Sequence, residues 1–359
     1  MSTLQIGLAI AGGVLLVAVV AHSTWTSRKN KPRQAQPLPD SGASAGPQEP
    51  VLEGADAAPE MQAQLSTAPP DPSLDMAPVD LMAADKRPML DALIDVIAPL
   101  EVESPISGEA ALQAMPTTRR VGNKMFLVEG LNADSGEWEP MRAGARYSAF
   151  QAGVQLANRM GPLNEIEFSE FVLKTQQFAD AINAAPEFPE MMDEVARGRE
   201  LDSFASAHDA QLSFSLKATQ AAWSPGYVQQ NAARLGFVPG VIPGRLVVPA
   251  DTPGLPPILG LSFDAQAAMA EDPTQSAIWS LTLTLDVPQV DRSHEPFARM
   301  IQTALELARV MDGAVSDDNG QPLSEEAVAA IARDLMTLYD TLDARDLSAG
   351  SPQARRLFS

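Results

Sequence analysis

The sequence predicts an α+β fold: an antiparallel sheet of split βαβ type with helices on one face. Its element order suggests two tandem copies, preceded by a transmembrane helix and a disordered linker. Three observations lead there. Ile278 to Val287 (IWSLTLTLDV) alternates strictly, with Trp279, Leu281, Leu283, Leu285 and Val287 on one face, the period of a half-buried strand. His294 to Met311 then places Phe297, Met300, Ile301, Ala304, Leu307, Ala308 and Met311 at helical spacing. An order of strand, helix, strands and helix with a late hairpin occurs after Gln211 and roughly also from Met89 to about Asn183, as split βαβ sheets produce.

The first element is an apolar run from Ile6 to Ala21, rich in Ile6, Leu8, Ile10, Val14, Leu15, Leu16, Val17, Val19 and Val20. With its flanks it reaches the roughly 20 residues that a spanning helix requires. Trp25 suits the membrane interface, and Arg28, Lys29, Lys31 and Arg33 form a basic stop on one side only. The positive-inside rule then sets the remainder in the cytoplasm. A cleaved signal peptide would use Val19 and Ala21 at its cleavage site, but its positive charge should precede the apolar run. Residues 1–27 are therefore expected to be a single-pass anchor.

Residues 28–87 hold the basic stop and then a stretch dense in Pro, Ala, Gln, Ser and Asp without period, expected to be a disordered linker. Fifty-odd flexible residues would have a root-mean-square span of about 40 Å, which would let the folded part stand off the membrane.

Residues 88–200 read as a divergent α+β module. Met89 to Ala98 is predicted as a strand, Ser107 to Met115 as a short helix, and Lys124 to Leu131 and Tyr147 to Ala157 as strands. Glu165 to Phe171 alternates Ile166 and Phe168 with acidic residues and reads as a further strand, before a helix from Val172 to Asn183. Glu187, Glu190, Asp193 and Glu194 read as a solvated helix face.

Residues 201–345 form the second module. Gln211 to Lys217 alternates Leu212, Phe214 and Leu216 with polar residues, and a helix from Pro225 to Leu235 ends at Gly236. Phe237 to Val248 is a Pro- and Gly-broken edge strand, followed by a strand from Ile258 to Phe263. Asp317-Asp318-Asn319-Gly320 signals a tight turn. Ser324 with Glu325 and Glu326 forms an N-cap for a last helix carrying Ile331, Leu335, Leu338 and Leu342. Residues 346–359 read as a tail.

The chemistry-bearing signals are mostly absent. The chain has 359 residues without cysteine, which removes disulfides and thiolate ligands. With 25 Lys+Arg against 46 Asp+Glu its net charge is -21, a poor basis for nucleic-acid binding. No P-loop, GxGxxG, GxSxG or HExxH pattern occurs, and His208 and His294 have no serine and carboxylate arrangement nearby. Fixing Gly320 as the sixth residue of a calcium loop puts Val315 first, where aspartate is required. No catalytic residue, metal or cofactor is expected. An anchor, a linker and a sheet module describe an adaptor. A membrane-anchored envelope enzyme is the alternative from another class, and a scaffold for a different cytoplasmic partner shares the same features.

The chain resembles the ZipA family of bacterial cell-division proteins. The residues that carry the resemblance are the anchor with its basic stop and Pro/Gln-rich linker, LTLTLDVP (Leu281 to Pro288) leading into FARMIQTALELARVMDGAV, and DDNGQPLSEE (Asp317 to Glu326). The terminal match runs from about Asp209 to Leu342. The resemblance implies a non-enzymatic adaptor at the division site of the inner membrane. It would bind the C-terminal tail of FtsZ on the sheet face that the helices leave open. Strand alternation places Gln211, Ser213 and Ser215, then Gly260, Ser262 and Asp264, then Ser280, Thr282, Thr284 and Asp286 on that face. The family's groove is apolar, whereas these residues are small, polar or acidic. Val241, Ile242 and Leu246 on the irregular edge are expected to supply apolar contacts, with Asp264 and Asp286 recognising a basic tail; the alternative is that the first module supplies or covers the surface.

Overall fold

The computed structural model describes residues 33–34, 90–270, 276–318 and 320–359. The apolar run from Ile6 to Ala21, together with Trp25, Arg28, Lys29 and Lys31, lies outside the described residues, as does nearly all of the linker. Among the described residues no helix is long and apolar enough to cross a membrane.

The first module begins later than Met89, because Asp91 accepts the backbone N–H groups of Leu93, Ile94 and Asp95 and turns the chain. It contains β1 (Asp95–Ser107), α1 (Gly108–Ala114), β2 (Arg120–Val121), β3 (Lys124–Asn132), β4 (Trp138–Pro140) and β5 (Arg146–Gln155). The small hairpin of β6 (Ala157–Asn158) and β7 (Gly161–Pro162) leads to α2 (Glu165–Ile182), β8 (Ala184–Pro186) and α3 (Met191–His208).

The strand predicted at Glu165 to Phe171 is the first half of α2. Asn164 and Glu167 form a reciprocal capping box, which satisfies the free N–H groups of a helix start. Phe168, Phe171, Phe178 and Ile182 then follow the 3.6-residue period into the core, whereas Ile166 is 81% exposed. Two apolar residues in alternation are too few to separate period two from 3.6. The acidic group beside α3 is likewise not one solvated face: Glu194 is buried and paired with Arg197 at 2.6 Å.

The second module contains β9 (Gln211–Ala218), α4 (Pro225–Ala233), β10 (Val238–Pro239), β11 (Arg245–Val248) and β12 (Leu259–Ser262). After these come α5 (Ala265–Ala268), β13 (Ser280–Asp286), α6 (Pro296–Met311), β14 (Gly313–Ser316), α7 (Glu325–Asp343) and α8 (Pro352–Leu357). Trp279 precedes β13 and is 41% exposed, so the buried alternation begins at Leu281.

Both sheets are antiparallel, and their central strand orders correspond: β3-β5-β1-β8 in the first module, β12-β13-β9-β14 in the second. In each, a helix ends on a left-handed residue that feeds directly into the outer strand, Asn183 before β8 and Asp312 before β14. Leu246, Leu261, Leu283 and Phe214 share one cross-strand row and are buried, as are Met300, Ala304, Leu307 and Met311 of α6. Each of the Leu, Phe and Met side chains among them contributes about 1.5–3 kcal/mol by leaving water.

Residues 346–359 are packed rather than extended into solvent: Leu347, Ala354, Leu357 and Phe358 are buried. The Gln289 side chain donates to the Phe358 carbonyl at 2.7 Å, and the Gln155 side chain to that of Arg356 at 2.5 Å. The C-terminal segment thus joins the two modules.

Candidate functional site

The register assembles the second face of the second sheet in rows. Arg245, Ser262, Thr282, Ser215 and Ser316 form one row across five strands. Val247, Gly260, Thr284 and Ser213 form the next, with Asp286 opposite Gln211 beyond it and Ser280 opposite Lys217 on the other side. Successive side chains of a strand alternate between faces, so burial of Phe214, Leu216, Leu281, Leu283 and Leu285 obliges these polar neighbours to face outward. Gly260 keeps one row shallow, because a Cβ there would lie 2.6 Å from Thr284 Oγ1.

Three expectations for this site need correction. Leu246 lies on the core face opposite Leu261 and is buried, so it offers no contact to a partner. Asp264 lies past the end of β12, where its carboxylate accepts the Gln266 N–H at 2.9 Å and caps α5. Asp286 is already engaged by Arg159 of the first module, through two hydrogen bonds of 2.7 Å. Arg159 also binds Asp209, at 2.6 and 2.8 Å, and these carboxylates push its guanidinium further above its usual range, Asp209 most strongly. Val241 and Ile242 are strongly exposed, but between β10 and β11 rather than on the sheet. The Ser213 hydroxyl donates to Asp318.

The charges on the face differ from the sequence expectation: Asp286 is held by Arg159, Asp318 reaches Ser213, and Lys217 and Arg245 are exposed and make no ion pair among the described residues. They stand three strands apart, about 15 Å at the usual strand spacing. A cavity of about 320 Å³ lies at the lower end of the face, lined by Arg159, Arg245, Gly260, Thr284, Asp286 and Phe358 among others. Strand alternation in β9 makes Lys217 legible from sequence, but Arg159 sits in a turn 127 residues before Asp286 and nothing local marks it.

Arg33 is the one residue of the predicted basic stop that is described, and it rests on the second module: Nη2 lies 2.9 Å from Asp312 Oδ2.

A sheet covered by helices on one side, with a row of small polar residues on the other, defines a module of split βαβ type. Residues 265–334 match the family described as ZipA, C-terminal FtsZ-binding domain, a stretch that spans β13, α6 and β14 and enters α7. The second module is thus similar to that domain, in agreement with the resemblance carried by Leu281 to Pro288 and Asp317 to Glu326. No curated protein matches the chain.

Proposed function

We propose that this chain is a non-enzymatic cell-division adaptor whose second module binds the C-terminal tail of FtsZ at the cytoplasmic side of the inner membrane. The observation that carries the reading is the bare face of β12, β13 and β9 within a module whose residues 265–334 match the ZipA FtsZ-binding domain family. The docking surface comprises Gln211, Ser213, Ser215, Ser262, Thr282 and Thr284. Val241 and Ile242 provide apolar contact at the edge hairpin. Lys217 and Arg245 meet carboxylates of the tail, a complementarity that steers encounter and sets its direction. The apolar run from Ile6 to Ala21 supplies the membrane anchor. Many such modules under one membrane patch would bind a filament by effective concentration, so moderate affinity per site suffices.

The test is calorimetric titration of the full chain with a synthetic FtsZ C-terminal peptide, beside a Thr282→Glu plus Thr284→Glu variant. Saturable binding that the variant loses, at unchanged melting temperature, is the expected result. Equal binding by the variant would move the site off this face, and no saturable binding by the parent chain would sink the reading.

A further inference from the structure

The stretch Ala222 to Ser224 has two hydrogen-bonding edges. On one, the Trp223 backbone exchanges both of its bonds with Ile278, at 2.9 and 2.8 Å. On the other, the Arg33 N–H donates to the Ala222 carbonyl at 2.7 Å and the Ser224 N–H donates to the Arg33 carbonyl at 2.9 Å, a parallel bridge to Trp223. Ser224 is buried, so withdrawal of Arg33 would leave its N–H without that partner.

The Arg33 side chain adds a second set of contacts. Nη1 donates to the Met311 carbonyl at 3.2 Å and Nη2 to the Asp312 carboxylate at 2.9 Å. These acceptors lie at the C-terminal end of α6, where carbonyls lack helical partners and the dipole favours a cation. The same Met311 carbonyl accepts the Trp223 indole N–H at 2.8 Å, which ties the corner to the core. A lysine would bring the charge without the planar fork that reaches both acceptors.

We infer that this corner, Ala222 to Ser224 with Met311 and Asp312, is a docking site for the chain's own basic segment, occupied in cis by Arg33. Residues 33–34 and 90–359 belong to one compact unit, so this body holds both ends of the stretch between Gln34 and Leu90. That stretch does not set the distance between the N-terminal apolar run and the body. Twelve residues, 22 to 33, do so, and they span at most about 40 Å when fully extended. Where the apolar run is the membrane anchor, as proposed above, the recognition face is held close to the bilayer instead of at the end of a long tether.

The absence of cysteine makes the test clean. Gln34→Cys and Gln220→Cys, both exposed positions, would carry spin labels in the full chain for a pulsed-dipolar distance measurement. A short, narrow distribution is expected. Arg33→Glu should broaden and lengthen it, and adding Asp312→Arg should bring the short distance back. Arg33 lies far in sequence from the module, so an unchanged melting temperature for Arg33→Glu separates undocking from unfolding. A broad, long distribution in the parent chain would overturn the inference. So would a short distance that Arg33→Glu leaves intact, or one seen only between singly labelled chains, which would place the docking in trans. None of these readouts depends on FtsZ binding.

Discussion

Asp95 and Arg356, 261 residues apart in sequence, form a bidentate ion pair with N–O distances of 2.8 and 2.5 Å beneath the C-terminal helix. Burial pushes the Asp95 carboxyl above its ordinary range, and the Arg356 charge opposes that rise. The pair lies on the side of the first sheet that corresponds to the bare face of the second. There Gln353 also donates to Asp91 at 2.9 Å, and Leu90 packs so closely over Gly153 that a Cβ would meet it at 2.4 Å. Two sheets of matching strand order thus differ in what covers their second faces. The first is partly closed by Leu90 and α8, and the second has no such cover among the described residues.

Arg356→Ala should destabilise the protein by about 3–5 kcal/mol, because it strands a buried carboxylate. Urea unfolding would measure it. Asp95→Leu combined with Arg356→Met should recover most of the loss; a double variant as unstable as the single would show that the pair is not the cause.

Glu139 makes a pH-dependent contribution. Burial raises its carboxyl, but hydrogen bonds from Asn132, Arg142 and Tyr147 outweigh that and hold it below its ordinary 4.5. A depressed folded value means that the stabilisation is present above the unfolded value and is lost as pH falls through the folded one. Glu139→Gln should therefore flatten the acid limb of a melting temperature against pH profile. An unchanged limb would contradict the assignment.

Tyr339 is buried with its hydroxyl unpartnered, and burial pushes the phenol up to about 12. Tyr339→Phe should be neutral or stabilising by about 0–1 kcal/mol, since it removes an unsatisfied polar group. Spectrophotometric titration of the folded parent should lose one late-ionising tyrosine in the variant.

Leu246 and Val241, both expected from sequence at the edge, should respond oppositely. Leu246→Ala removes a core side chain and should cost about 2–5 kcal/mol. Val241→Ala, at a fully exposed position, should change stability by less than about 0.5 kcal/mol while weakening peptide binding. Thermal melts and titrations of the two variants would separate these roles.

Arg159→Ala should weaken binding of a carboxylate-bearing tail severalfold with little loss of fold, because it exposes the charges of Asp209 and Asp286 at the lower end of the face. Tighter binding would instead mean that the tail presents cations there.

Sequence by itself determined the elements whose information is local. Alternation in β9 and β13 set which residues face inward, because a strand with one buried face has no freedom of register. The period of α6 and the serine N-cap at Ser324 are legible for the same reason. The polar members of the open face follow from that alternation alone. Tertiary structure decided everything that rests on contacts distant in the chain. It committed Asp286 to Arg159, turned Leu246 inward by pairing it with Leu261, and docked Arg33 on Asp312. It also made residues 346–359 a joint between modules, where short apolar and basic stretches carry no period of their own. Side-chain burial and charge neutralisation depend on which surfaces meet, and one-dimensional periodicity records only the surfaces that each element offers.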